Sequence, residues 1–528
     1  MTRIRRASIL LAGVLAAALA PLTTAGAEES VNDVAASCEA LEGTVVNAKQ
    51  IGAATDGAVV DTATLIVTTS DQPEFCAVKA HIDPVSNAPE INIALNLPSD
   101  WNGRSMHFGG GGFNGVVVDG LGNVPGTGNE PTDAAPATPL ERGYVTFGSD
   151  SGTAVGKQPA GSFGLTDEAL ANYAGDAVKK TRDTAMAIID DYYAQLPAQQ
   201  FFAGGSKGGH EALVAAQRYG EDYDGIIAYY PAAQNPALPI SWHATLQAWD
   251  SPGGSLNPAK QQLLHDSVLG VCDGLDGVSD GVISDTAACD TAYSVQILRC
   301  TDGTDSGDSC LSSAQINTIQ TAATPFYFDF KLANAVSSAG PYPVLQGAGL
   351  DEHTINSYTY FRNGTWPYFI ARDKSIDPAT FDYTDWKSEI KALSKLYDAA
   401  DENVDTFRKG GGKLIIVQGS TDNLVPPSMT TSYVEKLGER YGAGLSTFAL
   451  YYIQPGYGHG AGAFDLTWDS LGALETWVLD GEAPADPIAT DANPDTLGRQ
   501  MPLCEYPAWP KYTGGDQDQS SSFTCTTT

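Results

Sequence analysis

One stretch restricts the folds open to this chain more than any other: FFAGGSKGGHEALVAAQRYG, Phe201 to Gly220. An apolar run stops on two glycines, a serine follows, and two more glycines open a segment of helical period. Gly204-x-Ser206-x-Gly208 between a strand and a helix is the pattern of a nucleophile elbow. Such a turn holds its serine in a strained conformation above the end of a sheet. Small flanking residues let the strand and the helix approach each other. The competing reading is an ordinary glycine-rich turn with a surface serine.

The surroundings favour the elbow. Ile91–Pro98, Tyr144–Asp150, Tyr223–Ala232, Lys413–Gly419 and Phe448–Gly456 read as strands, and Tyr173–Tyr193 reads as a helix. Strand–helix alternation with short links predicts an α/β fold, a mostly parallel sheet covered on both faces. From Gln234 to Lys409 the pattern turns rich in Cys, Asp and aromatics, which predicts an inserted region. The expected division is 1–27 a signal peptide, 28–233 the first part of the core, 234–409 the insertion and 410–528 the second part.

The first residues are not read as fold. Arg3, Arg5 and Arg6 precede the apolar ASILLAGVLAAALA, and Ala25-Gly26-Ala27 fits a cleavage site. This predicts export, with cleavage near Ala27. A membrane anchor is the alternative, for which the apolar run is short. A formal charge of −34 argues against nucleic acid or an anionic membrane as partner. The eight cysteines lie outside the leader and predict four disulfides. Proximity suggests Cys38 with Cys76, Cys272 with Cys289, Cys300 with Cys310, and Cys504 with Cys525. Zinc is the alternative, but no C-x-x-C pair is present.

A serine hydroxyl needs a histidine to take its proton and an acid to orient that histidine. After an elbow serine the order is acid, then histidine. Of seven histidines, His81 and His107 precede the serine, His210 lies on the elbow helix, and His243, His265 and His353 fall in the insertion. His459, in QPGYGHGAGAF after a strand, is the expected base. Asp422, in KLIIVQGSTDNLVPP, ends the preceding strand and is the expected acid, although turn-forming Asp residues are common there. The N–H of Lys207 and one from Gly109–Gly112 are the candidate oxyanion donors.

A second motif is CDGLDGVSDGVISD, Cys272 to Asp285. Asp273, Asp276 and Asp280, with the carbonyls of Val278 and Val282, form an oxygen-only set suited to Ca²⁺. A solvated acidic turn is the alternative. CTDGTDSGDSC reads as a disulfide hairpin without metal.

Together these blocks resemble the tannase and feruloyl esterase family, which includes hydrolases of the ethylene glycol monoester of terephthalate. The resemblance runs from DWNGR and GGGGFNG through the elbow block and the acidic loop to GSTDNLVPP and PGYGHGAGAF. It implies an α/β-hydrolase core with a large inserted lid. It implies Ser206 as nucleophile, Asp422 as acid, His459 as base, and Gly112 and Lys207 as oxyanion donors. It implies a structural Ca²⁺ on Asp273, Asp276, Val278, Asp280 and Val282, and it supports the four local disulfides. The expected function is a secreted serine carboxylesterase acting on small-molecule esters of aromatic acids. A serine peptidase or amidase on the same fold, and a non-catalytic calcium-stabilised binding protein, are the alternatives. Trp242, Trp249, Trp366, Tyr368 and Phe369 are compatible with an aromatic substrate. Arg362, Arg372 and Lys374 are candidates to hold a free carboxylate on it. The family usually has cysteines just before the serine and just after the histidine, joined to each other. Gly205 and Gly460 stand there, so the chain is expected to lack that disulfide.

Overall fold

The computed structural model describes residues 36–69, 72–127, 135–153 and 159–528. The expected signal peptide lies outside them. Among the described residues, ten strands form the main sheet: β1 (Val45–Val46), β2 (Gly57–Ile66), β3 (Phe75–Asp83), β4 (Ile91–Pro98), β5 (Arg104–Phe108), β6 (Val145–Ser149), β7 (Gln199–Gly205), β8 (Gly225–Tyr229), β9 (Lys413–Gly419) and β10 (Ala449–Gln454). Their order is β1-β2-β3-β4-β6-β5-β7-β8-β9-β10.

The sheet is mixed rather than mostly parallel. From β6 to β10 every pair is parallel, while β1 to β4, and β4 against β6, pair antiparallel. The side chains follow this division. β8 is buried along its whole length, as a strand covered on both faces must be. β3 alternates between buried and more exposed positions in its second half, because one face there meets solvent.

The parallel half has helices on both faces. Val178, Leu213, Val214, Tyr433 and Leu437 pack with Phe202, Ile226 and Ile416 on one side. Leu471, Leu474 and Trp477 pack with Phe201, Ile227 and Ile415 on the other. Residues between Tyr229 and Lys413 send no strand into this sheet. They build their own apolar core around Trp366, Tyr358, Ile316 and Ile319, and that core continues onto Phe113, Phe163 and Tyr173. Phe113 follows the glycine loop after β5, and its ring lies 5.3 Å from Phe361 and 5.6 Å from Phe369. The insertion thus covers the carboxyl ends of β5 and β7, where ligands bind in open α/β sheets.

All eight cysteines are paired, as Cys38–Cys76, Cys272–Cys289, Cys300–Cys310 and Cys504–Cys525. Proximity was a sufficient guide because each bridge closes a loop of 38 residues or fewer.

Candidate active site

Ser206 sits between β7 and the helix Lys207–Arg218 with φ 59° and ψ −117°, a conformation that costs a non-glycine residue energy. Backbone bonds hold it there: its N–H donates to Tyr229 O at 3.0 Å, and its carbonyl accepts from His210 and Ala232. The glycines around it are required by space. A Cβ on Gly204 would lie 2.4 Å from the Gly208 carbonyl, and one on Gly209 would lie 2.5 Å from Tyr229 O.

His459 reaches the serine from the loop after β10. Its Nε2 is 2.8 Å from Ser206 Oγ and its Nδ1 is 2.9 Å from Asp422 Oδ2. Asp422, at the end of β9, is fully buried. Its Oδ1 accepts from the N–H groups of Leu424 (2.9 Å) and Val425 (2.8 Å), and its Oδ2 also accepts from Gln418 Nε2 at 3.1 Å. The structure therefore brings Ser206, His459 and Asp422 into one hydrogen-bonded chain.

Two participants were not foreseen. Gln418, inside β9, is fully buried and held by Thr430 Oγ1 at 2.8 Å. Tyr230 packs its ring 4.6 Å from the His459 imidazole. The same ring lies where a Gly205 Cβ would be, at 2.8 Å, and its hydroxyl would lie 3.4 Å from a Cβ on Gly460. Burial pushes the Tyr230 phenol up to about 12. The aromatic run at the end of β8 was legible as a strand, but not as a wedge between two loops.

The glycine loop lies beside the serine. Gly109 N–H donates to Ala203 O and Gly110 N–H to Glu211 Oε2, both at 2.9 Å. Gly112 has φ +57°, a backbone that favours glycine. The Lys207 N–H belongs to the first turn of its helix, where no intrahelical acceptor exists. Its side chain is buried with Glu211, at 2.7 Å.

Gly112, Ser206, Lys207 and His459 border a cavity of about 490 Å³ walled by Tyr173, Tyr230, Trp242, Phe361 and Tyr397. Of the five aromatics singled out in the insertion, only Trp242 is among its walls. Trp366 and Phe369 are buried in the insertion's core, and Trp249 and Tyr368 pack against it. The three candidate cations do not border the cavity. Arg362 is buried and donates to Asn363 Oδ1 at 3.2 Å. Arg372 pairs with Asp167 at 2.6 Å and Lys374 is exposed.

The acidic loop follows the helix Pro258–Cys272. Asp273 Oδ1 accepts from Gly281 N–H at 3.0 Å, Asp276 Oδ2 from Ser284 N–H at 2.9 Å, and Asp280 Oδ1 from Val282 N–H at 3.0 Å. Burial raises all three carboxyls, Asp276 to about 6. Asp280 Oδ2 is buried without a hydrogen-bond donor, and the Arg499 guanidinium stands 3.7 Å from it. A buried carboxylate oxygen without a hydrogen-bond donor, in a loop with two further acids, fits the chemistry of a Ca²⁺ donor set. Among the described residues, only His81, Asp83 and Glu90 bring ligand atoms of three His, Cys, Asp or Glu side chains within 4.8 Å of one another. Val282 packs on the loop of the candidate base: a Cβ on Gly456 would meet it at 3.1 Å.

The family described as tannase and feruloyl esterase matches residues 76–526. An uncharacterized esterase of Agrobacterium fabrum is 35% identical, over 97% of both chains. The mono(2-hydroxyethyl) terephthalate hydrolase of Piscinibacter sakaiensis is 28% identical, over 86% of this chain and 85% of that one. The crystal structure of feruloyl esterase B from Aspergillus oryzae superimposes with a TM-score of 0.76 at 21% identity, covering 93% of this chain and all of that one. That likeness shows the α/β-hydrolase fold. One expectation is corrected. The chain was set apart from the family by a missing disulfide, and this is not borne out: its bridges, Cys38–Cys76 and Cys300–Cys310 among them, leave no free cysteine in a chain that matches the family along most of its length. The chain belongs to the tannase and feruloyl esterase family and is a carboxylic ester hydrolase.

Proposed function

We propose that this protein is an exported serine esterase that hydrolyses esters of aromatic acids through an acyl-enzyme. The observation that carries this reading is the unbroken hydrogen-bond chain from Asp422 through His459 to Ser206, opening on an aromatic-walled cavity beside a glycine loop.

With its proton on Nδ1 facing Asp422, His459 presents a lone pair on Nε2 to the Ser206 hydroxyl. Ser206 Oγ adds to the ester carbonyl carbon as its proton passes to Nε2. The carbonyl oxygen becomes an oxyanion, and the N–H groups of Gly112 and Lys207 donate to it. Collapse breaks the bond to the alcohol oxygen, which takes the proton from Nε2 and leaves. Water then adds to the acyl carbon with its proton going to Nε2, and the acid is released as Ser206 recovers that proton. Asp422 orients the imidazole and stabilises its charged form without taking the proton.

The aromatic part of the proposal is supported by the names of the terephthalate hydrolase and feruloyl esterase relatives and by the ring walls of the cavity, which suit a flat aromatic acyl group. Methyl ferulate, methyl gallate, a terephthalate monoester and p-nitrophenyl acetate form a sufficient test panel. At least one aromatic ester is expected to exceed p-nitrophenyl acetate in kcat/KM. Turnover of p-nitrophenyl acetate alone would remove the aromatic claim. Four disulfides support an oxidising, extracytoplasmic location. The N-terminus of protein recovered outside the cell is expected near Glu28, and an intact Met1 would contradict export through the leader.

Calcium is proposed as a structural ion held by Asp273, Asp276 and Asp280 with the carbonyls of Val278 and Val282. When bound it supplies positive charge to the acidic loop. Chelation is expected to lower the melting temperature by several degrees, because a ligand at ~100 times its Kd contributes about 2.7 kcal/mol. Added Ca²⁺, but not Mg²⁺, restores it. An unchanged melting temperature, with or without chelator, would count against the site.

A further inference from the structure

A run of four glycines has no side chains with which to hold its own backbone in place, yet an oxyanion donor has to be held still. Among the described residues, one side chain reaches this loop from the elbow helix. Glu211 lies four residues past Lys207, on the same helical face. Its Oε2 accepts the Gly110 N–H at 2.9 Å. Its Oε1 accepts from Asn114 Nδ2 at 2.7 Å, from Ser151 Oγ at 3.3 Å and from Lys207 Nζ at 2.7 Å. Both members of the ion pair are buried, Glu211 to 4% exposure and Lys207 to 2%. Lys207 Nζ is further enclosed by the rings of Tyr173, at 4.7 Å, and Tyr397, at 5.7 Å. Tyr173 in turn donates its hydroxyl to Gly112 O at 3.0 Å.

We propose that Glu211 is a positioning residue of the oxyanion site: its buried carboxylate ties the glycine loop to the nucleophile helix, with the Lys207 ammonium as countercharge. This rests on the serine-esterase reading above. The two proposed donors, on Gly112 and Lys207, come from separate elements, and the sheet alone does not set their spacing. The loop end of the tie is two residues before Gly112, and the helix end is the side chain of Lys207 itself. A buried ion pair is by itself weak evidence for stability. This one has its second oxygen on the loop, where it accepts the Gly110 N–H.

The chemistry demands a carboxylate. All four partners donate, and only a group that accepts on both oxygens satisfies them. In Glu211→Gln the amide NH₂ faces either the Gly110 N–H or the Lys207 and Asn114 donors. Each choice opposes donor to donor and pushes the loop away. Misplacing a reacting group by ~1 Å costs about 10²-fold.

The test compares wild-type and Glu211→Gln protein, full length, with active sites counted by titration. Turnover is measured on the best ester of the panel. Inhibition is measured with an aromatic trifluoromethyl ketone, which forms an oxyanion on Ser206, and with the matching aromatic acid. The expected result is a kcat about 10²-fold lower per titrated site, with KM within about threefold of wild type. The ketone weakens in step with kcat/KM and the acid is unaffected. An unchanged kcat per site, or equal weakening of ketone and acid, would overturn the proposal. Should Glu211→Gln fail to fold, Asn114→Ala removes one donor and leaves the ion pair intact. The same split is then expected at about tenfold, and its absence would overturn the proposal equally. Wild-type protein without serine-dependent turnover is a different outcome, which defeats the esterase reading itself.

Discussion

Ser206→Ala is expected to lower kcat by ~10⁶-fold on every ester the wild-type protein turns over, leaving a residue of catalysis from the oxyanion donors and substrate binding. The size follows from the geometry. Ser206 Oγ is the atom that His459 Nε2 faces at 2.8 Å, and the turn around it leaves no room for a side chain at Gly204 or Gly209. Alanine removes the hydroxyl without disturbing the backbone bonds from Tyr229, His210 and Ala232, because none involves the side chain. The melting temperature is therefore expected to stay within a few degrees of wild type, and substrate binding to persist. Relief of the positive-φ strain is small, since alanine inherits the same backbone. A drop of less than about 10³-fold would exclude Ser206 as the nucleophile.

Asp422→Asn is expected to cost ~10⁴-fold in kcat, the second-largest effect, although the side chain keeps its shape. The reason is a conflict of donors. Every partner of Asp422 donates: Leu424 and Val425 N–H to one oxygen, His459 Nδ1 and Gln418 Nε2 to the other. The two backbone donors cannot turn away, so the amide oxygen of asparagine stays with them. Its NH₂ then faces His459 and donates to Nδ1. That fixes the imidazole proton on Nε2, where the lone pair for Ser206 is needed. Gln418 can flip its own amide only by giving up Thr430 Oγ1 and Val425 O, to which it is also bonded. Measurement of kcat at the wild-type optimum checks this. A loss under tenfold would mean that the acid does not set the tautomer.

The parts of this molecule that were legible in the sequence are those whose cause is local. An elbow needs glycines within three residues of its serine. The space around Gly204 and Gly209 shows why, since a methyl group at either would collide with backbone. Asp422 and His459 each lie in the turn or loop after an apolar strand, so a strand pattern and a turn were enough to make them candidates. The antiparallel half of the sheet was not foreseen, because alternation marks a strand without naming its neighbour. The cavity walls were missed for a related reason. Tyr173, Tyr230, Trp242, Phe361 and Tyr397 come from five separate segments and meet only because the insertion docks over the strand ends. Nothing in the local pattern distinguishes Trp242, which borders the cavity, from Trp366, which fills the insertion's core. Gln418 and Glu211 were overlooked because a polar residue inside a strand or a helix carries no sign of what it will touch. Their roles follow from burial, which leaves each no alternative to the partners it has.

The acyl-enzyme route depends on Ser206 being the reacting atom, and a phosphonylation experiment addresses that most directly. Wild-type protein is treated with a fluorophosphonate, residual ester turnover is followed, and the label is located by peptide mass spectrometry. The expected result is a single label, on Ser206, whose appearance matches the loss of turnover and which is absent from Ser206→Ala. A label on another residue that tracks the loss, or full turnover with Ser206 labelled, would contradict the triad.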